Sequence, residues 1–320
     1  MHAIVVTTPG GSSALEYTEV PDPVPGPDDV LVDVQAIGVN FIDVYHREGR
    51  YPLPTPFVPG SEGAGTVAAV GANVTDVAVG DRVGWQGVLG GYAQKAVVPA
   101  AKVIPLPDEV SPELAAAVLL QGLTAHYLSH STYAVNTGDD TLVHAAAGGV
   151  GLLLTQMVKL RGGRVIGTVS TEEKEKLARD AGADDVIRYE GFAGAVRELT
   201  DGRGVHVVYD GVGKATFDDS LASLRVRGMM ALYGAASGAV PPVDPQRLNQ
   251  GGSLFLTRPT LAHYTVTREE LLARAGEVLG WVGSGALKVH ISGRYPLAEA
   301  KRAHDDLEGR RTTGKLLLIP

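Results

Sequence analysis

The sequence predicts an α/β protein with a barrel-like antiparallel domain and a doubly wound parallel-sheet domain, on three observations. The first third of the chain is a series of short β-branched or alternating runs cut by Gly and Pro clusters, the pattern of antiparallel strands closing on themselves. From Thr141 onward, apolar runs alternate with helix-length segments, the rhythm of right-handed βαβ units around a parallel sheet. At the start of that rhythm stands Leu142-Val-His-Ala-Ala-Ala-Gly-Gly-Val-Gly-Leu152, an apolar run that breaks into glycines and resumes as an amphipathic segment.

In chain order, strands are expected at Ala3–Thr7, Leu15–Val20, Val30–Ile37, Gly63–Val70 and Tyr92–Val98. They are separated by turns such as Pro21-Asp-Pro-Val-Pro-Gly-Pro27 and Val79-Gly-Asp-Arg82. Ser111-Pro112-Glu113 supplies an N-cap, a proline at the first helical position and an early acid, and a helix continues through Leu120. The alternation then runs Thr141–Ala145, helix Gly149–Leu160, Arg164–Val169, helix Glu172–Ala181, Asp185–Arg188 and helix Phe192–Thr200. It continues with Val205–Tyr209, helix Ala215–Leu224, Gly228–Tyr233 and an edge strand at Ser253–Leu256. A capping-box pattern opens a helix near Thr267, followed by Val289–Ile291, helix Ala298–Leu307 and a last strand, Lys315–Ile319. That strand reads as fully buried, and because its helical flank breaks the βαβ rhythm it is expected to return to the N-terminal domain. The expected divisions are 1–120, 121–258 and 259–320.

A chain of 320 residues is long enough for two cores. Its formal net charge of −8 argues against nucleic acid or an anionic membrane as the main partner, since both call for a basic surface. There is no cysteine, which excludes disulfides and thiolate metal sites. The N-terminal apolar run is too short for a signal peptide, and no apolar stretch reaches the roughly 18 residues of a membrane helix. A cytoplasmic enzyme or binding protein is the expectation.

A strand that ends in a glycine turn and feeds a helix aims backbone N–H groups and a helix dipole at one spot, which suits a pyrophosphate. The fingerprint reads Ala146-x-Gly148-x-x-Gly151, with alanine at the usual first glycine. Gly148 would let the backbone approach the ligand, and Gly151 would permit close helix–strand packing. The next strand ends in Gly167-Thr-Val-Ser-Thr-Glu-Glu-Lys174. An NAD site has an acid at that tip for the ribose 2′-OH. Here Thr168 and Ser170 offer hydroxyls and Lys174 follows one turn later, a set suited to a 2′-phosphate and therefore to NADPH over NADH. The bland alternative makes Ser170 or Thr171 a helix cap and Lys174 a solvated side chain. Tyr189, after the third strand, reads equally as a phosphate ligand or a surface tyrosine.

Gly138-Asp-Asp-Thr-Leu-Val-His-Ala-Ala-Ala-Gly-Gly-Val-Gly-Leu-Leu-Leu-Thr-Gln-Met-Val-Lys159 resembles the signature of the zinc-free quinone oxidoreductases. These are the zeta-crystallin-like branch of the medium-chain dehydrogenase/reductase superfamily. Gly38-Val-Asn-Phe-Ile-Asp-Val-Tyr45, Pro59-Gly-Ser-Glu-Gly-Ala-Gly65, Val79-Gly-Asp-Arg-Val83, Leu120-Gln-Gly-Leu-Thr-Ala-His-Tyr127 and Gly314-Lys-Leu-Leu-Leu-Ile-Pro320 match in order. The resemblance spans essentially the whole chain and is especially similar to bacterial NADPH:quinone reductases. It implies a GroES-like β domain built from both ends of the chain, a Rossmann domain between them, NADPH in the interdomain cleft, and a homodimer joined through the Rossmann domains.

By the same resemblance, Asn40 and Tyr45 stand at the nicotinamide end as the candidate catalytic pair, with Thr124 near the cofactor. Gly148, Gly149, Val150 and Gly151 would hold the pyrophosphate, and Gly167, Thr168, Ser170, Lys174 and Tyr189 the adenosine 2′-phosphate end. Tyr233, Gly234, Ala235, Phe255, Leu256, Arg258 and Arg310 complete the implied cofactor contacts. Gln121 and Ala235 stand where close relatives often carry Lys and Asn. Tyr51, Gln86 and Tyr127 are weaker pocket-lining candidates, and His144 reads as a satisfied core histidine.

Zinc alcohol dehydrogenases carry Cys where Asn40 stands and Gly-His-Glu where Gly60-Ser61-Glu62 stands. Asn and Ser are poor zinc ligands, so no metal is expected and alcohol oxidation is disfavoured. A quinone, or an alkene conjugated to a carbonyl, accepts reducing equivalents without a Lewis acid. The leading expectation is an NADPH-dependent quinone reductase, the second an enone reductase, and the third a crystallin-like NADPH-binding scaffold with little turnover.

Overall fold

The computed structural model describes residues 1–320. The chain divides into two compact units, one formed by Met1–Leu123 with Thr265–Pro320 and the other by Thr124–Tyr264. The divisions fall after Leu123 and Tyr264 rather than after residues 120 and 258. A helix running from Pro112 to Tyr127 passes through the first boundary, so no change of composition marks it.

The N-terminal segment holds β1 (His2–Val5), β2 (Glu16–Glu19), β3 (Asp29–Val39), α1 (Phe41–Arg47), β4 (Glu62–Val70), β5 (Arg82–Gln86), β6 (Lys95–Pro99) and β7 (Ile104–Pro105), followed by α2 (Pro112–Tyr127). The second unit holds β8 (Asp140–Val143), α3 (Gly149–Leu160), β9 (Arg164–Thr168), α4 (Glu172–Asp180), β10 (Asp185–Ile187), α5 (Phe192–Leu199), β11 (Val205–Asp210), α6 (Phe217–Ala222), β12 (Leu224–Leu232), α7 (Gln246–Gln250) and β13 (Phe255–Thr257). The chain closes with α8 (Arg268–Gly283), β14 (Ile291–Pro296), α9 (Ala300–Glu308) and β15 (Lys315–Ile319).

The first unit is organised around β3, whose 11 residues are long enough to serve three partners. Its first half pairs antiparallel with β6, most of its length with β4, and its end with β15. The last strand therefore does return to the N-terminal domain, in the sheet order β14-β15-β3-β4-β5-β7. Val30, Val32, Trp85, Tyr92, Val98, Leu316 and Leu318 fill its core. Expected strands of this unit begin and end within three residues of those observed, except that Val289–Ile291 lies at the start of a strand running Ile291–Pro296. The strand at Tyr92–Val98 starts only at Lys95, because Tyr92 N bonds Pro59 O and Ala93 bridges Ala3 instead. Neither α1 nor β5 was expected.

The second unit is a six-stranded sheet in the order β10-β9-β8-β11-β12-β13, every pair parallel. It is the doubly wound sheet foreseen, with β13 at its edge. The helix foreseen at Ala215–Leu224 is shorter, because Leu224 already belongs to β12 and pairs with Val205. Leu142, Ile166, Phe192, Val208 and Met230 form its core. No helix is long and apolar enough to cross a membrane.

Candidate active site

In the second unit the glycine turn follows β8. Gly148 is the N-cap of α3 and offers no side chain to the helix, which leaves that end's backbone donors to be met from outside. A Cβ on Gly151 would lie 2.2 Å from Ala145 O and 2.8 Å from Ala146 Cα, so only glycine lets α3 sit this close to the strand end. A Cβ on Gly148 would meet Ala145 O at 3.1 Å. Gly149 and Val150 form the first turn of α3. The alanine at the first fingerprint position is accommodated from the next strand. A Cβ on Gly167 would meet the Ala146 methyl at 2.8 Å, so Gly167 makes the room that a glycine at 146 would otherwise supply.

The tip of β9 carries no carboxylate, and the parallel register aligns it with β10. Ile187 pairs with Thr168, the last residue of each strand, so the segments leading to Ser170 and Tyr189 leave the sheet at the same end. The Tyr189 hydroxyl accepts a 3.0 Å bond from Ala145 N and so ties this corner to the glycine turn. Thr171 is the N-cap of α4, its hydroxyl accepting from Lys174 N at 3.3 Å. Ser170 is exposed and Lys174 half-buried in the first turn. Thr168 is placed differently. Its side chain is buried and its hydroxyl contacts His144 Nδ1 at 2.8 Å.

That contact begins a brace beneath the turn. His144 Nε2 reaches Ser220 Oγ at 2.9 Å, and Ser220 Oγ donates to Asp210 Oδ2 at 2.9 Å. Asp210 also accepts from Thr216 Oγ1, Val212 N and Gly213 N at 2.7, 2.7 and 2.9 Å. With Ser220 spending its proton on Asp210, His144 donates from Nε2 and accepts at Nδ1 from Thr168. Burial lowers the His144 pKa and keeps the ring neutral. His144 is the satisfied core histidine the sequence suggested, and its partners tie the ends of β8, β9 and β11 together.

At the C-terminal ends of β11 and β12, Tyr233 and Gly234 both donate to Asp210 O. The Tyr233 ring lies over Gly211, where a Cβ would be 2.8 Å away, and a Cβ on Gly234 would strike Gly211 O at 2.5 Å. Ala235 O accepts from Gly238 N at 2.9 Å. Phe255 is 57% exposed on edge strand β13 beside half-buried Leu256, and Arg258 follows it. Thr124 is buried in α2, where Tyr127 stacks on Tyr264 at 4.3 Å. Arg310 belongs to the other unit, in a left-handed turn (φ 55°) after α9.

In the first unit, three strands bring a buried polar network together. Leu316 pairs with Val39 and Ile37 with Gly63, so Lys315 comes beside Asn40, and Glu62 beside Gly38. Lys315 Nζ donates to Glu62 Oε2 at 2.5 Å and to Asn40 Oδ1 at 2.8 Å. Asn40 Nδ2 donates to Glu62 Oε2 and Gly38 O at 2.9 and 3.2 Å, and Gln121 Nε2 donates to Asn40 Oδ1 at 3.3 Å. All four hydrogen-bonding positions of the Asn40 amide are thus spent inside the protein. Gln121 Oε1 is buried without a partner. Gly38 is required here, since a Cβ would lie 2.2 Å from Glu62 Oε2 and 2.4 Å from Ala116 O. Gln86 pairs with Glu62 in register.

Asn40 is also the N-cap of α1, its backbone N–H held by Asp43 Oδ2 at 2.9 Å. Tyr45 sits on α1 with its ring mostly buried, edge-on to Tyr51 at 5.5 Å and under the Arg50 guanidinium at 5.4 Å. Asp43 accepts from Ser61 N and Oγ at 3.1 and 3.0 Å and from Tyr92 OH at 3.3 Å. Tyr92 OH meets His304 Nε2 at 2.9 Å, and His304 Nδ1 faces Arg47 Nη1 at 3.1 Å. Arg47 can only donate, so His304 accepts at Nδ1 and donates from Nε2. None of Lys315, Glu62, Asp43, Tyr92 and His304 was singled out from the sequence as a site residue. A lysine opening an apolar strand gives no sign that its ammonium is buried.

Two groups in this network make stability depend on pH in opposite senses. Burial pushes Asp43 up to about 6, against its hydrogen bonds and Lys315. Burial, with the Arg47 charge, pulls His304 down to about 3. Below pH 6.5 the unfolded chain protonates this histidine while the native state refuses the proton, so acid lowers stability, in full by about 5 kcal/mol. Asp43 is protonated first in the native state, so acidification from about 6 to 4 raises stability by about 3 kcal/mol. The histidine covers the wider range and sets the net sign. His304→Gln should therefore lower Tm at pH 7 yet lose the acid sensitivity, its Tm rising rather than falling between pH 7 and pH 5. Melting curves across that range that run parallel to the wild type would contradict the assignment.

Comparison with known proteins bears on these two clusters. Family models described as "Alcohol dehydrogenase GroES-like domain" and "Zinc-binding dehydrogenase" match residues 26–108 and 149–277. A quinone oxidoreductase of Pseudomonas aeruginosa is 49% identical over 315 residues, 97% of each chain. The chain belongs to the quinone oxidoreductase family of the medium-chain dehydrogenases/reductases. Within it, a mycobacterial protein solved in complex with NADPH is 56% identical, covers 100% of both chains and superposes with a TM-score of 0.98. A 2-haloacrylate reductase of a Burkholderia species is 43% identical over 99% of this chain and 98% of its own.

The zinc named in one family description does not suit the donors present. Asn40 has no free lone pair, the Ser61 hydroxyl is spent on Asp43, and Glu62 already holds the Lys315 ammonium. A zinc ion placed between Asn40 and Glu62 would have to displace a buried cation, and no cysteine stands by to help.

Proposed function

We propose that this chain is an NADPH-dependent quinone reductase that works without a metal. The observation that carries the reading is the β9 tip, Thr168–Thr171, which has hydroxyls and no carboxylate, with Lys174 in the following turn and Tyr189 bonded to the glycine turn at Ala145 N. An acid there would bind a ribose 2′-OH and repel a 2′-phosphate. Relatives named quinone oxidoreductase and a close structural neighbour bound to NADPH support it.

When bound, NADPH supplies the reducing equivalents. On this reading Gly148, Gly149, Val150 and Gly151 bind the pyrophosphate through backbone donors, and Ser170, Lys174 and Tyr189 hold the 2′-phosphate. Gly167 shapes the turn from the neighbouring strand, and buried Thr168 supports it through His144 rather than touching phosphate. Tyr233, Gly234, Ala235, Phe255, Leu256 and Arg258 flank the nicotinamide half, and Thr124 and Arg310 are further cofactor contacts. Asn40 holds the start of α1, and Tyr45 on that helix is the hydrogen-bond donor to the acceptor. The protein acts in the cytoplasm as a homodimer joined through its parallel-sheet units, for which exposed Val226 and Phe255 on β12 and edge strand β13 offer an apolar surface.

Reduction of an activated carbon–carbon double bond is the second reading, favoured by the 2-haloacrylate reductase relative. Steady-state NADPH oxidation with a panel of quinones, enones and 2-haloacrylate separates the two. Quinone turnover well above the others is the expected result, a preference for alkenes selects the second reading, and tight NADPH binding without turnover leaves a binding scaffold. Tyr45→Phe should lower kcat by about tenfold with KM for NADPH little changed. Unchanged kinetics would leave Tyr45 a packing residue.

A further inference from the structure

The buried network of the first unit ends in an acceptor that nothing satisfies, and its polarity is set from the other end. Lys315 Nζ can only donate, so the Asn40 amide must turn its oxygen toward the ammonium and its nitrogen toward Glu62 Oε2 and Gly38 O. Reversing the amide would oppose NH2 to NH3+ and carbonyl oxygen to carboxylate. With Asn40 Oδ1 fixed as an acceptor, Gln121 must present its Nε2 to it, at 3.3 Å. The Gln121 carbonyl oxygen is therefore forced to the far side of its amide, where it lies buried and without a partner. A buried carbonyl left unpaired is destabilising, and a ligand's N–H or O–H removes that cost. Glu62, the counter-charge of Lys315, is held independently by Leu120 N at 2.6 Å.

We propose that Lys315 is a positioning residue: through Asn40 it fixes Gln121 Oε1 as the acceptor for a neutral N–H or O–H donor of the bound cofactor or of the reduced acceptor. The proposal rests on the reductase reading for the identity of those molecules. Its geometry predicts that Gln121 matters only while Lys315 sets the polarity. An unpaired Glu62 would confound a single Lys315 substitution, so both charges are removed together.

The test is a coupling cycle between Gln121→Met and the electroneutral pair Glu62→Gln/Lys315→Met, read by melting temperature and by calorimetric NADPH Kd without acceptor. A further arm reads product inhibition by the hydroquinone. Gln121→Met alone is expected to weaken the ligand it serves by about tenfold, the worth of one buried hydrogen bond. NADPH Kd responds if the donor is the cofactor's carboxamide, and hydroquinone inhibition if it is the product's hydroxyl. In the electroneutral background the same substitution should change either value less than about twofold, although that background melts close to the wild type. A purely charge-balancing Lys315 is excluded by that pattern. An equal Gln121→Met effect in both backgrounds, or no effect in the wild type, overturns the proposal. Should the electroneutral pair not fold, Lys315→Arg keeps charge and donors and must show the full Gln121→Met effect; its absence there overturns the proposal. Wild-type protein that binds NADPH but reduces no quinone refutes the reductase reading alone, because the NADPH Kd cycle still reads the coupling.

Discussion

Gly151→Ala is expected to cost about 1–3 kcal/mol of stability and to weaken NADPH binding by about tenfold or more. The added Cβ would stand 2.2 Å from Ala145 O and 2.8 Å from Ala146 Cα, and both are backbone. No rotamer change relieves such a contact. The N-terminus of α3 has to move off the strand end, and the donors at Gly148–Gly151 move with it. The same substitution at Gly194, which lies on the exposed face of α5 with nothing within 4 Å of its Cβ position, should stabilise the chain by about 0.5–1 kcal/mol. The pair is read by thermal melts and NADPH titration. Equal and small effects at the two positions would mean that α3 tolerates displacement, and the close approach would then carry no function.

Lys174→Ala is expected to raise KM for NADPH by about tenfold or more while changing KM for NADH less than about threefold. Only NADPH carries the 2′-phosphate, and a charge-assisted bond to it is lost in only one of the two complexes. Ser170 follows the end of β9 just before α4, so Ser170→Asp should shift preference the same way by adding repulsion. Equal weakening of both cofactors by Lys174→Ala would show that Lys174 acts on the fold of α4 and not on phosphate.

Much of this site lay open in the sequence because its physics is local. The glycine turn, α3 from Gly149 to Leu160, the acid-free tip of β9 and the strand Lys315–Ile319 each follow from a short run whose periodicity and turn residues agree. What stayed hidden depends on register between distant strands. Gly167 reads as an ordinary strand glycine until β9 lies beside β8 and its missing Cβ meets Ala146. Lys315 reads as the polar start of an apolar strand until β15 pairs with β3 and drives the ammonium between Asn40 and Glu62. A single sequence assigns lysines to the surface, and only the pairing overrules that. Helix α1 escaped notice for a different reason. At seven residues it is too short for periodicity to speak, and its signal is the Asn40-x-x-Asp43 cap. Asn40 was expected at the nicotinamide end, and its amide is bonded to Gly38 and Gln121 and to Lys315 and Glu62, the latter two being partners that only the strand pairing brings together.

This protein reduces quinones with NADPH, and its Asn40, Ser61 and Glu62 side chains are committed to hydrogen bonds, two of them to Lys315, rather than open to a metal. The most direct measurement is quinone-dependent NADPH oxidation by protein exhaustively treated with a strong zinc chelator, compared with untreated protein and with treated protein given zinc back. Full activity in all three is the predicted result. Activity lost on chelation and restored by zinc would contradict it.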